Sequence, residues 1–257
     1  MLINAVELQE WLLRFIGIFA RVGAALMVGP LFGSNLVPRR IRLMVGVAVT
    51  VLILSAVPAL RSTPATLGPL QLFREVALGA ALGFVVQSVF DMLTTAGQAI
   101  GLSMGLGFAN LIDPQHGTST PVVGQLYVLL ALLVYVALDG HLAFLQLLVD
   151  SFRAMPAGGA RLDEPAVAAL AGWGSRIFSG ALQVALPAVV AMTVVNLAFG
   201  VISRAAPQLN LFGIGFPLSV ILGFVTLWIT LQSLTPTFTA LFEEAMQLAG
   251  DLARGAT

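Results

Sequence analysis

The chain has 257 residues, 58% hydrophobic and 9% charged, and its twelve basic and twelve acidic residues leave a formal net charge of zero. A soluble domain carries about 25% charged residues, so this surface must face lipid or apolar protein, and without a basic run nothing attracts nucleic-acid phosphates. There is no cysteine and every basic residue is arginine, which removes disulfides, thiolate chemistry and lysine-dependent catalysis.

A membrane-spanning helix needs roughly 20 mostly apolar residues. The first such stretch covers residues 11–32. Glu7 and Glu10 stand before it, where a cleavable secretory signal carries positive charge, so it reads as a retained helix. Gly33, Ser34, Asn35 and Pro38 break the chain before a second stretch at 43–60, and Arg39, Arg40 and Arg42 favour a cytoplasmic position for this connection. Pro58, Pro64 and Pro69 punctuate the next gap. Stretches 72–90 and 92–112 are nearly continuous, either one long helix or two helices broken near Thr94–Gly97.

A turn cluster, Asp113-Pro114-Gln115-His116-Gly117, precedes the stretch at 122–138. Residues 150–165 are the longest polar segment, and Asp163-Glu164-Pro165 suits the first turn of another helix. The last two apolar stretches, 181–202 and 212–234, are separated by residues 204–210. After Pro236, the spacing of Phe238, Leu241, Phe242, Ala245, Ala249 and Leu252 against Glu243, Glu244, Gln247 and Asp251 describes an amphipathic helix. No period of 20–50 residues repeats. The fold class that follows is an all-α integral membrane protein.

Charges inside apolar segments are expensive, from about 2.5 kcal/mol upward when they face lipid. Glu7, Arg14 and Arg21 recur every seven residues and share a helix face, and Glu10 sits four before Arg14, the favourable order for an ion pair. This stripe lines a pore or meets a partner, or its members pair within the protein or between subunits. Glu75, Asp91 and Asp139 fall near expected helix ends, where solvated or capping roles are the expectation. Gly97, Gly101 and Gly105, continued by Ala109, form a row of small residues on one helix face, and Gly79 and Gly83 repeat the device. Such rows let a neighbouring backbone approach closely.

Catalytic signals are missing. The stretch Gly105-Leu106-Gly107-Phe108-Ala109-Asn110 has Asn where a dinucleotide fingerprint needs its third Gly. His116 and His141 lack acids at metal-ligand spacing, and there is no nucleophile elbow. The expectation is a non-enzyme without metal or cofactor.

Three stretches together carry a resemblance. The first runs from Gly97 through Ala109, leading into Asp113-Pro114 and Pro121-Val122. The second is Gly140-His141-Leu142 followed by residues 147–152. The third is Asn196-Leu197-Ala198-Phe199-Gly200, then residues 204–210 and Gly215-Phe216-Pro217. In this order they resemble the FliR/SctT family of type III export-gate subunits, over essentially the whole chain. The resemblance implies a subunit of the flagellar export gate in the bacterial inner membrane, at the flagellar basal body. It implies assembly with FliP and FliQ, with FlhB and FlhA nearby, around a channel for unfolded exported proteins. It further implies a FliP-like part at 1–180 and a FliQ-like helical hairpin at 181–257, turning around Arg204, Pro207, Gln208 and Asn210. A plug loop that obstructs the closed channel would map to 105–120, with Gly105, Leu106, Gly107, Phe108, Ala109, Asn110, Leu111, Ile112, Asp113 and Pro114 as its candidates. Where this family usually has Asn before Gly-His, the chain has Asp139; both residues tolerate a turn. The alternatives are an injectisome gate subunit and a stand-alone secondary transporter, which would show two related halves.

Overall fold

A computed structural model of the protein describes residues 5–33, 37–58, 60, 67–107, 122–206 and 215–255, with side chains from Glu7 onward. Among these residues all regular structure is helical: α1 (Ala5–Val28), α2 (Arg39–Ala56), α3 (Pro69–Ser103), α4 (Val122–Ala137), α5 (Gly140–Ala154), α6 (Glu164–Ala205), α7 (Phe216–Leu231) and α8 (Leu234–Arg254).

Of the two alternatives for stretches 72–90 and 92–112, the single long helix is the one found. Helix α3 runs unbroken for 35 residues through Thr94–Gly97. Both threonines there turn their hydroxyls back on the helix, Thr94 Oγ1 to the Phe90 carbonyl and Thr95 Oγ1 to the Asp91 carbonyl, each at 2.8 Å. Their polar groups are satisfied locally, so nothing forces a break. Likewise the helix expected at 163–165 and the apolar stretch at 181–202 are one helix, α6, of 42 residues. Pro165 sits in its first turn, where the missing N–H costs nothing, and the helix continues past Pro187.

Other features follow from local chemistry. Asp139 adopts left-handed φ 54, ψ 25 at the start of α5 and breaks the chain between α4 and α5. Helix α8 begins at Leu234, so Pro236 lies inside its first turn rather than before it. Its six apolar positions, Phe238, Leu241, Phe242, Ala245, Ala249 and Leu252, are all buried.

Three helices are long and apolar enough to cross a membrane: α1 over Glu7–Val28, α3 and α6. The pairs α4 with α5, and α7 with α8, pass the same test only as bent pairs, giving up to five spans among the described residues. The protein is an all-α integral membrane protein.

The chain divides into two compact units. The first comprises Met1–Ser88, Tyr135–Ser175 and Phe242–Thr257; the second comprises Val89–Val134 and Arg176–Leu241. In the first, Ile18, Val22, Leu26, Leu82, Phe144 and Leu148 are buried together with Trp173, whose Nε1 donates to Ser88 Oγ at 2.6 Å. In the second, Leu93, Ile100, Tyr127 and Met192 are buried, and Phe90 meets Phe238 edge-on at 5.7 Å between ring centroids.

Candidate functional site

Arg21 cannot be ionised in an apolar interior without compensation. Helix α1 carries it to full burial in the first unit, and α3 brings Glu75, also fully buried, to meet it. Arg21 Nε donates to Glu75 Oε2 at 2.6 Å. Arg21 Nη1 donates to the Ser151 carbonyl at 2.9 Å and to Ser151 Oγ at 3.2 Å. The guanidinium carbon stands 4.1 Å from the centroid of the Phe152 ring, a cation–π contact strengthened by desolvation. The other Glu75 oxygen, Oε1, accepts the backbone N–H of Gly158 at 2.8 Å and of Ala160 at 3.4 Å. One pair of charges thus ties α1, α3, α5 and the loop after α5 together. Within this cluster, Arg21 Nη2 has no hydrogen-bond partner among the described residues.

Glu75 is therefore not the solvated or capping acid its position suggests. Helix α3 begins at Pro69, earlier than the apolar stretch, so Glu75 lies inside the helix and faces the interior. No sequence signal pairs it with Arg21, 54 residues away.

The charge stripe on α1 does not form one buried face. Glu7 and Glu10 are exposed. Arg14 Nη2 donates to Glu10 Oε2 at 2.9 Å, one turn away on the helix surface. Successive steps of seven drift around a helix by about 20°, so Arg21 enters the interior while Arg14 is half-buried and Glu7 and Glu10 stay exposed. Glu10 with Arg14 and Glu75 with Arg21 are the intramolecular pairs these stripe residues form.

Glycines bring the helix backbones together. A Cβ added at Gly79 would collide with the Arg21 carbonyl oxygen, and one at Gly83 would meet the Ala25 carbonyl oxygen at 2.6 Å and the Gly29 nitrogen at 3.0 Å. In the second unit, a Cβ at Gly97 would lie 2.5 Å from the Gly124 Cα, whereas one at Gly101 would meet only the Val123 side chain, at 3.5 Å. Gly97 marks a backbone-to-backbone approach; Gly101 marks ordinary contact.

The end of α3 is the root of the expected plug loop. Gly105 has φ 81; its N–H bonds the Leu102 carbonyl and the Leu106 N–H bonds the Gly101 carbonyl, both at 3.0 Å. These two bonds with a left-handed glycine are a Schellman cap. Met104 is fully buried in a notch left by Gly223, where an added Cβ would come within 2.6 Å of its Cγ and Cε. Asn196 Nδ2 donates to the Ser103 carbonyl at 3.1 Å, satisfying one of the carbonyls that a helix end leaves open. Gly107 follows in the turn. Phe108, Ala109, Asn110, Leu111, Ile112, Asp113 and Pro114 lie outside the described residues. So do Pro207, Gln208 and Asn210 of the hairpin turn; Arg204 is in the last turn of α6, where a cation suits the helix dipole.

Among the described residues no group of three or more His, Asp or Glu side chains could hold a metal ion.

The model of the bacterial export proteins, family 1, matches residues 12–245. The flagellar biosynthetic protein FliR of Escherichia coli (strain K12) is 36% identical over 251 residues, covering 97% of this chain and 96% of the relative. Its counterpart from Pectobacterium carotovorum subsp. carotovorum is 34% identical over 251 residues with the same coverage. That of Bacillus subtilis (strain 168) is 31% identical over 222 residues, covering 83% and 84%.

Proposed function

The chain belongs to the bacterial export proteins, family 1, and from that premise we propose how it serves the flagellar export apparatus, of which it is a membrane-embedded subunit. It is a non-enzymatic wall element of the export gate in the bacterial inner membrane. It assembles with FliP and FliQ, with FlhB and FlhA nearby, around a channel that passes unfolded flagellar proteins. Residues 1–180 act as the FliP-like part, residues 181–257 as the FliQ-like hairpin, and residues 105–120 as the plug.

The observation that carries this reading is the length and greasiness of α6. Its 42 residues extend about 63 Å at 1.5 Å per residue, roughly twice the ~30 Å hydrocarbon core of a bilayer. Only 17% of its most apolar window is buried within this chain, against 67% for α3. Phe178, Leu182, Leu186, Val190, Val194, Leu197 and Val201 are all exposed along it. A surface that apolar and that long exceeds what lipid alone covers; neighbouring subunits are its natural cover.

Native mass measurement on detergent-purified protein, co-expressed with FliP and FliQ, tests the proposal. The expected species is a hetero-oligomer containing all three. Recovery of this chain only as a monomer or homo-oligomer rejects it.

A further inference from the structure

In the first unit a cavity of about 430 Å³ opens between the start of α3, the loop joining α5 to α6, and the end of α8. Its lining includes three arginines, Arg74, Arg161 and Arg254, against one carboxylate, Asp163. Arg254 is already paired with Asp251 at 2.7 Å. Arg74 and Arg161 are exposed and have no ion-pair partner among the described residues. Two cations are therefore free to take a ligand.

The wall between them is held in place. Gly158, which lines the cavity, has φ 87, and its N–H is fixed on the buried Glu75 Oε1 at 2.8 Å, as is that of Ala160 at 3.4 Å. The Gly159 N–H bonds the Pro156 carbonyl at 2.8 Å. A wall fixed before binding loses little freedom when a ligand arrives.

The setting is apolar as well as basic. Leu70 and Phe73, on the same helix as Arg74, are 59% and 69% exposed, and Val167 on α6 is 54% exposed. Leu70 lies four residues before Arg74 and so shares its face. Both α3 and α6 are candidate membrane spans that begin at this cavity. Cations beside exposed apolar side chains at the ends of membrane helices match the two halves of a phospholipid.

We propose that this cavity binds the headgroup of an anionic phospholipid of the phosphatidylglycerol type. Arg74 and Arg161 take the phosphate oxygens, for which the guanidinium fork is suited. Asp163, which can only accept hydrogen bonds when ionised, receives a headgroup hydroxyl. The acyl chains run along Leu70 and Phe73. Basic pockets between membrane helices hold acidic headgroups in this way.

The test uses the full chain in nanodiscs containing equal amounts of phosphatidylglycerol and phosphatidylcholine, with retained lipid counted by native mass spectrometry. Wild type should retain phosphatidylglycerol over phosphatidylcholine by about fivefold or more, and R74Q/R161Q should lose that preference. R153Q, which removes an exposed cation paired elsewhere with Asp150, should leave it intact. The preference should also shrink as salt rises. Equal retention of the two lipids by wild type, or an undiminished preference in R74Q/R161Q, overturns the proposal. Release of the bound lipid by inorganic phosphate assigns the site to free phosphate and overturns it too; lipid that stays bound supports it. Loss of the preference when FliP or FliQ fills the cavity identifies a protein contact instead and overturns it.

Discussion

Arg21 Nε and Glu75 Oε2 lie 2.6 Å apart, both side chains withdrawn completely from solvent. Neither charge is tolerable alone: removing one partner of a buried pair leaves the other uncompensated, at a cost of about 3–5 kcal/mol. Arg21→Gln and Glu75→Gln should each lower the thermal midpoint and the yield of folded protein in detergent. The double change to Arg21→Met and Glu75→Leu replaces both charges with apolar groups and should recover most of the loss, although Gly158 and Ala160 then lose their acceptor. A double variant as unstable as either single one would show that the pair does more than compensate itself.

The glycines of α3 should divide by what faces them. An added Cβ at Gly79 meets backbone, the Arg21 carbonyl, which can move only if α1 moves with it. At Gly97 it meets the Gly124 Cα at 2.5 Å. At Gly101 it finds an ordinary 3.5 Å contact with Val123. Gly79→Ala and Gly97→Ala should therefore cost about 1–3 kcal/mol each through overpacking, while Gly101→Ala should be neutral or slightly stabilising, since alanine favours the helix. Thermal melts of the three variants check the order.

These same positions mark how far the sequence could be read. Four-residue glycine spacing identifies a face, and the apolar period after Pro236 identifies the buried side of α8, because both are local repeats along one helix. Which backbone meets Gly79, or which acid meets Arg21, depends on the register between helices distant in the chain. Nothing local encodes that. Helix length was open for a different reason: Thr94 and Thr95 are polar enough to suggest a break, yet each satisfies itself on its own helix. The plug candidates Gly105, Leu106 and Gly107 entered through family resemblance. The cap at Gly105 then gave the glycine a physical reason.

That cap supplies a third prediction. Gly105 holds φ 81, where a side chain costs about 1–2 kcal/mol. Gly105→Ala should fray the end of α3, while Gly107→Ala, whose Cβ meets only the flexible tip of Leu102 at 2.5 Å, should cost less. Hydrogen exchange across residues 98–104 reports the difference.

The plug assignment makes its own demand on the assembled gate. Deleting residues 106–110 should open an ion leak across membranes that contain the complex, measured as conductance in planar bilayers. Normal assembly with unchanged conductance would remove the assignment and leave residues 105–120 as an ordinary connection.

The notch between Met104 and Gly223 offers the sharpest separation of packing from backbone effects. Met104 is wholly buried, and its Cγ and Cε lie where a Cβ at position 223 would stand, 2.6 Å away. Gly223→Ala alone overfills the notch and should cost about 1–3 kcal/mol. Met104→Ala alone empties it and should cost about 2–5 kcal/mol. Together the two changes should cost clearly less than their separate losses combined, because the new methyl occupies part of the space the thioether leaves. Such favourable coupling between touching residues typically amounts to about 0.5–3 kcal/mol. Simple additivity in the melts of the two single variants and the double would mean that Gly223 is required for its backbone rather than for the room it gives Met104.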